Sequence, residues 1–160
     1  MASIILYRVT TSLLQWPKRM RIVSLVPSLT EYLWALGLEK EVLGITKFCI
    51  HPEAWWQHKT RVGGTKKVNF ETIDSLQPTL IIANKEENTK EDIELLVSKY
   101  EVLLTDIQTL DDAFFYLLEI GERVNRVEAA RSLVDQIKKD FQALGPLGKG
   151  ASFLYFIWKD

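Results

Sequence analysis

The segment from Lys47 to His58, KFCIHPEAWWQH, holds the residues whose side chains could do chemistry. Cys49 and His51 are two positions apart, so an extended backbone would direct both side chains to the same side. Together with Glu53 they would offer sulfur, nitrogen and oxygen to a soft metal ion such as zinc, and His58 could add a further ligand. The spacing matches no established zinc pattern, so we predict that the protein has no metal site or cofactor of its own.

Catalysis by this segment is the alternative to a binding function. A Cys/His nucleophilic pair needs a third group to orient the histidine, and none is evident beside Cys49 and His51. Gly63-Gly64 lacks the G-x-G-x-x-G pattern and the Lys-Ser/Thr ending of phosphate-binding loops, which disfavours nucleotide binding. We therefore predict that the protein is not an enzyme. A metal-dependent or Cys/His enzyme on an α/β lobe and a purely structural fragment remain the alternatives of other classes.

The composition excludes several further classes of function. The 160 residues carry a formal net charge of −1, which gives no electrostatic reason to expect a nucleic-acid partner. A single cysteine excludes an internal disulfide. No stretch is long and apolar enough to span a bilayer. Residues 1–20 contain no convincing signal peptide, and we expect them to form a poorly ordered N-terminal extension.

Alternating strands and helices must position the polar segments. Short connections between them predict crossovers and a mainly parallel sheet, so residues 21–108 form an α/β lobe. The first helix is expected to begin with Ser28 as its cap and Glu31 completing a capping box. Ligands of open parallel sheets lie beyond the carboxyl ends of the strands. Those ends are predicted at 26–28, 46–51, 64–66 and 84–87.

Residues 109–145 carry an apolar residue at every third or fourth position, which predicts one continuous helix. Such a helix is roughly 50 Å long, at a rise of about 1.5 Å per residue, and exceeds the usual helix of a compact domain. We interpret it as a spine that leads out of the lobe. Residues 146–160 then contain the apolar segment Ala151–Trp158, predicted to be the first strand of a second lobe.

Several motifs occur together in a familiar order: RIVSLVPSLTE, FCIHPEAW, RVGGTKK and VNFETIDSLQPTLIIANKEEN, followed by the long helical segment and FLYFIWKD. From Arg21 to the end the chain resembles the substrate-binding proteins of ABC importers for cobalamin and iron–siderophores, most closely the cobalamin-binding branch. The resemblance implies two α/β lobes joined by a helix, with the ligand held between them. This chain would then be a parallel-sheet N-terminal lobe with a long backbone helix, the second lobe truncated after its first strand.

The resemblance also implies a function and a set of site residues. It implies the solute-binding component of an importer, which holds cobalamin or another corrinoid in the cleft and delivers it to a membrane permease. Iron-siderophore or haem binding by the same fold is the alternative. A periplasmic or cell-surface location is implied as well, although the absence of a convincing signal peptide leaves a cytoplasmic one open. The cleft positions carried over are Pro27, Ser28, Phe48, Cys49, His51, Gly64, Thr65, Lys66, Asn84, Lys85 and Glu86.

Two surfaces are expected to meet other proteins. From the residues alone, the acidic cluster Glu86, Glu87, Glu91 and Asp92 is either a solvated loop and helix start or a docking surface for a basic partner. The resemblance implies docking to the permease, with Glu87 or Glu91 as the acidic contact. Without a second lobe, Val134, Ile137 and Phe141 are expected to lose cover, so that the chain self-associates.

Overall fold

The computed structural model of the protein describes residues 20–144, which form one parallel sheet with helices on both faces. The five strands are β1 Ile22–Ser24, β2 Val42–Ile45, β3 Thr60–Arg61, β4 Leu80–Asn84 and β5 Val102–Thr105. The helices are α1 Pro27–Ala35, α2 Glu53–His58, α3 Phe70–Leu76, α4 Lys90–Val97, α5 Leu110–Arg123 and α6 Val127–Ala143.

The sheet has the strand order β3-β2-β1-β4-β5, and all its pairings are parallel. The predicted α/β class with a parallel sheet is therefore confirmed. The chain builds outwards from β1 in one direction as far as β3, then crosses back to place β4 on the other side of β1. The carboxyl ends of β1 and β4 thus flank a topological switch point, where ligands of such sheets bind.

Neighbouring residues of the central strands enter two separate cores, because successive side chains of a strand point to opposite faces. Ile22 and Ile82 lie in one core with residues of α1, α2, α5 and α6. Val23 and Ile81 lie in the other with residues of α3 and α4. These four side chains are fully buried, and each contributes about 1.5–3 kcal/mol relative to exposure. Both faces of the sheet are therefore covered.

The predicted single helix over residues 109–145 is wrong, because two helices, α5 and α6, occupy this segment. The chain leaves α5 through Asn125, which has a left-handed φ of 55°. The amide of Arg126 then donates to the carbonyl of Gly121 at 2.7 Å, and the amide of Asn125 donates to that of Glu122 at 3.2 Å. This pair of bonds is the Schellman arrangement that ends helices, and asparagine is the residue after glycine that best tolerates the conformation.

After this turn α6 folds back along α5 instead of extending out of the lobe. Gly121 contacts Ala130, and the Lys138 ammonium lies 5.0 Å from the centre of the Phe114 ring, so the two helices are antiparallel. Val134 is therefore only 1% exposed, and the expectation that it loses cover is wrong. Phe141 is 51% exposed, in agreement with the expectation that it loses cover.

The start of α1 also differs from the prediction. The helix begins at Pro27, its N-cap is Val26, and no side chain caps it, so Ser28 is not the cap. Proline is favoured at the first helical position because its fixed φ suits the helix and its missing N–H would be unpaired there anyway.

Threonine hydroxyls cap two of the later helices, α4 and α5. Thr89 accepts a bond from the amide of Asp92 at 3.4 Å, and Thr109 accepts one from the amide of Asp112 at 3.1 Å. Each such cap stabilises its helix by about 1 kcal/mol.

Two parts of the predicted architecture lie outside the described residues: the extension at residues 1–19 and the strand predicted within 146–160. Met20, the last residue assigned to the extension, packs against the core that contains Ile22. Between residues 20 and 144, no helix has the length and hydrophobicity needed to cross a membrane.

Candidate functional site

The carboxyl edge of the sheet brings together the loops that follow β1, β2, β3 and β4. Among the predicted ligand residues, those with exposed side chains here are Ser28, Phe48, His51, Lys66, Lys85 and Glu86, and Pro27 is half-buried. The remaining predicted residues, Cys49, Gly64, Thr65 and Asn84, are buried. The predicted set therefore divides into an outer layer that can touch a ligand and an inner layer that shapes the loops.

The loop after β2 presents two apolar side chains to solvent. Phe48 is 51% exposed and Ile50 is 53% exposed, while Cys49 between them is fully buried. The alternation arises in a turn, in which the Cys49 amide donates to the Thr46 carbonyl at 3.1 Å and the Ile50 amide donates to the Phe48 carbonyl at 2.9 Å. Cys49 is therefore corrected from a ligand-contacting residue to a residue that holds the loop from beneath.

A cluster of buried polar side chains lies under this loop. The Thr30 hydroxyl is 2.8 Å from Ser24 Oγ, 2.8 Å from the Val26 carbonyl oxygen and 3.2 Å from Cys49 Sγ. Thr46 Oγ1 is 3.1 Å from the same sulfur. Because a hydroxyl carries one proton, Thr30 donates to one of its three neighbours at a time. The cluster joins β1, α1 and the end of β2. Thr30 was not among the predicted site residues, and Thr46 was included only as the first residue of the strand end 46–51.

Asn88 ties three loops together and was also missed. Its amide nitrogen donates to the Thr65 carbonyl at 2.9 Å and lies 3.4 Å from the Leu25 carbonyl. Its side-chain oxygen accepts a hydrogen bond from the backbone amide of Asn84 at 2.9 Å. The only sequence signal is a second asparagine in NKEEN, directly before the helix cap at Thr89, whereas its long-range partners follow from the fold alone.

Asn84 continues this support to the outer strand. Its side-chain nitrogen donates to Thr105 Oγ1 at 3.0 Å, and its oxygen accepts from the amides of Glu86 and Glu87 at 2.8 and 3.2 Å. Both the nitrogen and the oxygen of this buried side chain therefore have hydrogen-bond partners within the protein. Asn84 is thus a loop-forming residue at the predicted site, and its contact with a ligand stays a prediction.

The loop after β3 forms a tight hairpin over residues 62–69. The Gly64 amide donates to the Lys67 carbonyl at 2.8 Å, and Gly63 pairs with Val68 in an antiparallel bridge. Gly63 has a φ of 100°, which excludes most other residues, and a β-carbon there would lie 2.7 Å from the Lys67 oxygen. The side-chain nitrogen of Asn88 donates to the Thr65 carbonyl, so the tip of the hairpin is firmly positioned.

A groove of about 760 Å³ opens between this hairpin and the loop after β2. A β-carbon on Gly64 would lie 3.3 Å from the Phe48 ring and 3.4 Å from Lys47 Cε, so both side chains rest on the glycine backbone. The groove is lined by Lys47, Phe48 and the residues from Gly63 to Glu71.

An ion pair crosses the outer end of the edge. Lys85 Nζ lies 2.7 Å from Asp106 Oδ2 and links the loops after β4 and β5. Hydrogen bonding to Lys85 lowers the pKa of Asp106, and hydrogen bonding to Asp106 raises the pKa of Lys85. Both side chains are partly exposed, so a ligand can reach the pair without breaking it.

Cys49 and His51 do not converge on a metal. The Cys49 thiol is buried among hydroxyl groups, whereas His51 is exposed at the surface. Glu53 is exposed and accepts a bond from Gln57 Nε2 at 3.1 Å. Throughout the described range, 20–144, no three residues of the ligand types His, Cys, Asp and Glu are grouped closely enough to hold an ion.

Glu87 and Glu91 are both exposed beside the edge, on the loop after β4 and in the first turn of α4. The neighbouring Asp92 differs, because its carboxylate accepts a bond from the Val68 amide at 3.2 Å. Two of the acidic side chains are thus free of this structural role, and their docking function stays a prediction.

Comparison with known proteins gives this architecture a family. Residues 22–147 match the family model described as periplasmic binding protein. An uncharacterized ABC transporter substrate-binding lipoprotein of Bacillus subtilis is 31% identical over 136 residues, covering 82% of this chain and 43% of the relative. A vitamin B12-binding protein of Pectobacterium carotovorum is 28% identical over 142 residues, covering 86% of this chain and 51% of the relative. The chain therefore spans about half the length of the curated relatives it matches.

A solved structure shows the same fold. The periplasmic heme-binding protein of Pseudomonas aeruginosa superposes with a TM-score of 0.71 at 22% identity, over 78% of this chain and 45% of that one. The parallel sheet is consistent with this fold, and because the match extends over residues 22–147, the chain belongs to the family of periplasmic binding proteins.

Proposed function

We propose that residues 21–144 form one wall of a ligand cleft in the solute-binding component of an ABC importer, and that the ligand is cobalamin or another corrinoid. The observation that carries the proposal is the pair of exposed apolar side chains, Phe48 and Ile50, at the carboxyl edge beside the topological switch point. The name of the Pectobacterium relative, a vitamin B12-binding protein, supports the corrinoid over other ligands.

A corrinoid suits this wall for physical reasons. It is a broad and rigid metal macrocycle, so its site needs apolar surface and a few directing polar groups. Covering the exposed halves of Phe48 and Ile50 is worth about 1 kcal/mol each. Ser28 and Lys85 supply a hydroxyl and an ammonium group at the same edge. The buried clusters around Thr30 and Asn88 hold these loops in place before a ligand arrives, which reduces the ordering cost of binding.

Calorimetric and absorbance titration with cyanocobalamin tests the ligand. We expect a spectral change that saturates with the protein, and we expect Ile50→Ala to weaken binding by about fivefold, as loss of about 1 kcal/mol requires. Leu95→Ala is the matched control, since Leu95 is 56% exposed on α4 and Ile50 is 53% exposed. No heat and no spectral change at high micromolar cyanocobalamin rejects the corrinoid.

Haem and ferric siderophores are the alternative ligands of the same cleft. The Pseudomonas structure, named for heme, shares the fold at an identity too low to transfer its ligand. Parallel titrations with haemin and with a ferric siderophore separate the three: the ligand is the one whose affinity falls in Ile50→Ala and is unchanged in Leu95→Ala.

The proposed role includes a permease and a location. A protein with this role works on the outer side of the membrane, in the periplasm or at the cell surface, and meets the permease with acidic side chains. Glu87 and Glu91 are exposed at one rim of the edge, where arginines of a permease could reach them. Charge reversal at both should weaken binding to the permease of the same importer in lipid nanodiscs. Reversal of Glu122, exposed on α5, is the control and should leave binding unchanged.

A further inference from the structure

One end of the candidate site carries a concentration of positive charge. Lys47, Lys66 and Lys67 line the groove beside the hairpin, against one acidic residue, Glu71. The whole chain has a formal net charge of −1, so this local excess is not a property of the surface in general. We call Lys47, Lys66 and Lys67, together with the Phe48 ring, the lysine corner.

The ammonium groups of the lysine corner have no carboxylate partner within the described residues. The ion pairs between residues 20 and 144 that lie within 4.0 Å involve other lysines and arginines. Lys66 donates to the Glu86 carbonyl and so braces the hairpin against the loop after β4. The Lys47 ammonium lies 5.1 Å from the centre of the Phe48 ring, and Lys67 is exposed at the turn of the hairpin. Two of the three charges are thus left for a ligand.

The backbone under these charges is fixed. Lys47 donates its amide to the Gly63 carbonyl at 2.8 Å, and the Gly64 amide donates to the Lys67 carbonyl at 2.8 Å, so both lysines belong to one hydrogen-bonded unit. Asn88 anchors that unit to the sheet through Thr65. A concave wall lined by like charges focuses its field on the groove and attracts anions there.

We propose that the lysine corner is a subsite for an anionic oxygen group, a phosphodiester or carboxylate, carried on the edge of a flat ligand. Lys47 and Lys67 contact the anion through charge-assisted hydrogen bonds, and the Phe48 ring covers the adjoining apolar face. The inference rests on the proposed function in one respect, that the ligand of the cleft is the molecule that brings the anion. It adds a charge requirement that the fold and the apolar wall do not impose.

A small probe tests the subsite without assuming which ligand the cleft holds. The full chain is titrated with 1-naphthyl phosphate and, separately, with uncharged 1-naphthol, while the amide NMR signals of residues 63–68 are followed. We expect saturable shifts with the phosphate and weaker binding of the naphthol. Lys47→Gln and Lys67→Gln should each lower the phosphate affinity by about threefold, as loss of an exposed charge contact of about 0.6 kcal/mol requires.

Lys40→Gln is the matched control, since Lys40 is an exposed lysine just before β2, at the opposite edge of the sheet. It removes the same charge from the molecule and should leave the phosphate affinity unchanged. Three results would overturn the proposal: no shifts at millimolar phosphate probe, equal affinities for the two probes, or equal losses in Lys40→Gln and Lys47→Gln.

Larger ligands then identify the source of the anion. Cyanocobalamin carries a phosphodiester, dicyanocobinamide is the corrinoid without it, and haemin carries carboxylates. If the Lys47→Gln/Lys67→Gln variant loses affinity for cyanocobalamin and keeps it for dicyanocobinamide, the anion is the phosphodiester. A selective loss for haemin assigns a carboxylate.

The two proposals can fail separately. Corrinoid and haemin binding that are both unchanged in the Lys47→Gln/Lys67→Gln variant overturn the subsite, and the corrinoid binding itself leaves the proposed function standing. Binding of 1-naphthyl phosphate at residues 63–68, with no binding of cyanocobalamin, dicyanocobinamide or haemin, supports the subsite and contradicts the proposed function.

Discussion

Gly121 of α5 faces Ala130 of α6 so closely that a β-carbon on Gly121 would lie 2.2 Å from the Ala130 β-carbon. Real β-carbons do not approach to that distance, so Gly121→Ala must push the two helices apart. We expect the variant to lose about 1–3 kcal/mol of unfolding free energy by overpacking, which outweighs the gain of up to about 1 kcal/mol that alanine brings to a helix interior. Urea denaturation measures the change.

Ala130→Gly combined with Gly121→Ala supplies the control for this steric argument. The double variant moves the methyl group from one helix to the other, so it should recover most of the stability that Gly121→Ala loses. A Gly121→Ala protein as stable as the parent would show that α5 and α6 do not pack as described.

The same helix pair shows where sequence reasoning reaches its limit. Apolar spacing predicted the helical segments and much of their buried stripe, because Leu117, Val124 and Ala130 face one core whether or not the helix is continuous. It could not detect the break, since the turn at Asn125 keeps the spacing. The available signal was the asparagine itself, which tolerates the left-handed conformation found there.

Asn88 offers a prediction about the loops at the carboxyl edge. Asn88→Asp keeps the acceptor for the Asn84 amide, but it removes the donor to the Thr65 and Leu25 carbonyls and places a buried carboxylate against them. We expect a loss of about 2–4 kcal/mol, because the variant leaves buried carbonyls unpaired and brings in a charge. Thermal unfolding gives the stability change, and amide hydrogen exchange in residues 63–67 should accelerate.

Asn69→Asp is the matched control, since Asn69 is exposed and its side chain caps α3 through its oxygen at 2.9 Å from the Thr72 amide. Aspartate caps a helix as well as asparagine does. Equal destabilisation by the two substitutions would contradict the special role of Asn88.

The candidate site divides in the same way between what could be predicted and what could not. The alternation of strands and helices located the edge and its loops, which confirms that local pattern determines where a parallel sheet presents its ends. It did not reveal that Cys49 is buried, because that depends on hydroxyls from Thr30 and Thr46 that reach it through the fold. Long-range hydrogen bonds of this kind leave no periodic trace in the sequence.

Tyr32 predicts a pH dependence of stability. Its hydroxyl donates to the Leu117 carbonyl at 2.7 Å, and burial raises its pKa from 10.0 to about 12. Between pH 10 and 12 the unfolded chain releases this proton while the folded protein keeps it, so unfolding free energy falls as pH rises through that window. Tyr32→Phe should be about 1 kcal/mol less stable at pH 7, from loss of the hydrogen bond.

The difference between the parent and Tyr32→Phe isolates this group from other tyrosines. Burial also raises the pKa of Tyr100 to about 12 and raises that of Tyr116, and both remain in the variant. A pKa raised from 10.0 to about 12 is worth more than the hydrogen bond of about 1 kcal/mol, so we expect the stability gap to narrow above pH 10 and to change sign before pH 12 in urea titrations. A gap that stays constant over this range would contradict the assignment.

The cluster around Thr30 predicts how firmly the loop with Phe48 and Ile50 is held. Thr30→Val keeps the shape of the side chain and removes the hydroxyl that lies within 3.2 Å of Ser24, Val26 and Cys49. We expect a loss of about 1–2 kcal/mol, because buried polar neighbours lose a partner. If that loss falls on the loop, local opening becomes about tenfold more frequent, and the buried Cys49 thiol reacts about tenfold faster with a disulfide reagent under native conditions.

Thr72→Val, in α3 away from this cluster, controls for the substitution itself and should leave the thiol rate unchanged. Equal thiol rates in the parent and Thr30→Val would mean that the hydroxyl cluster does not secure the loop, and the argument that the apolar wall is held in place before ligand binding would fail with it.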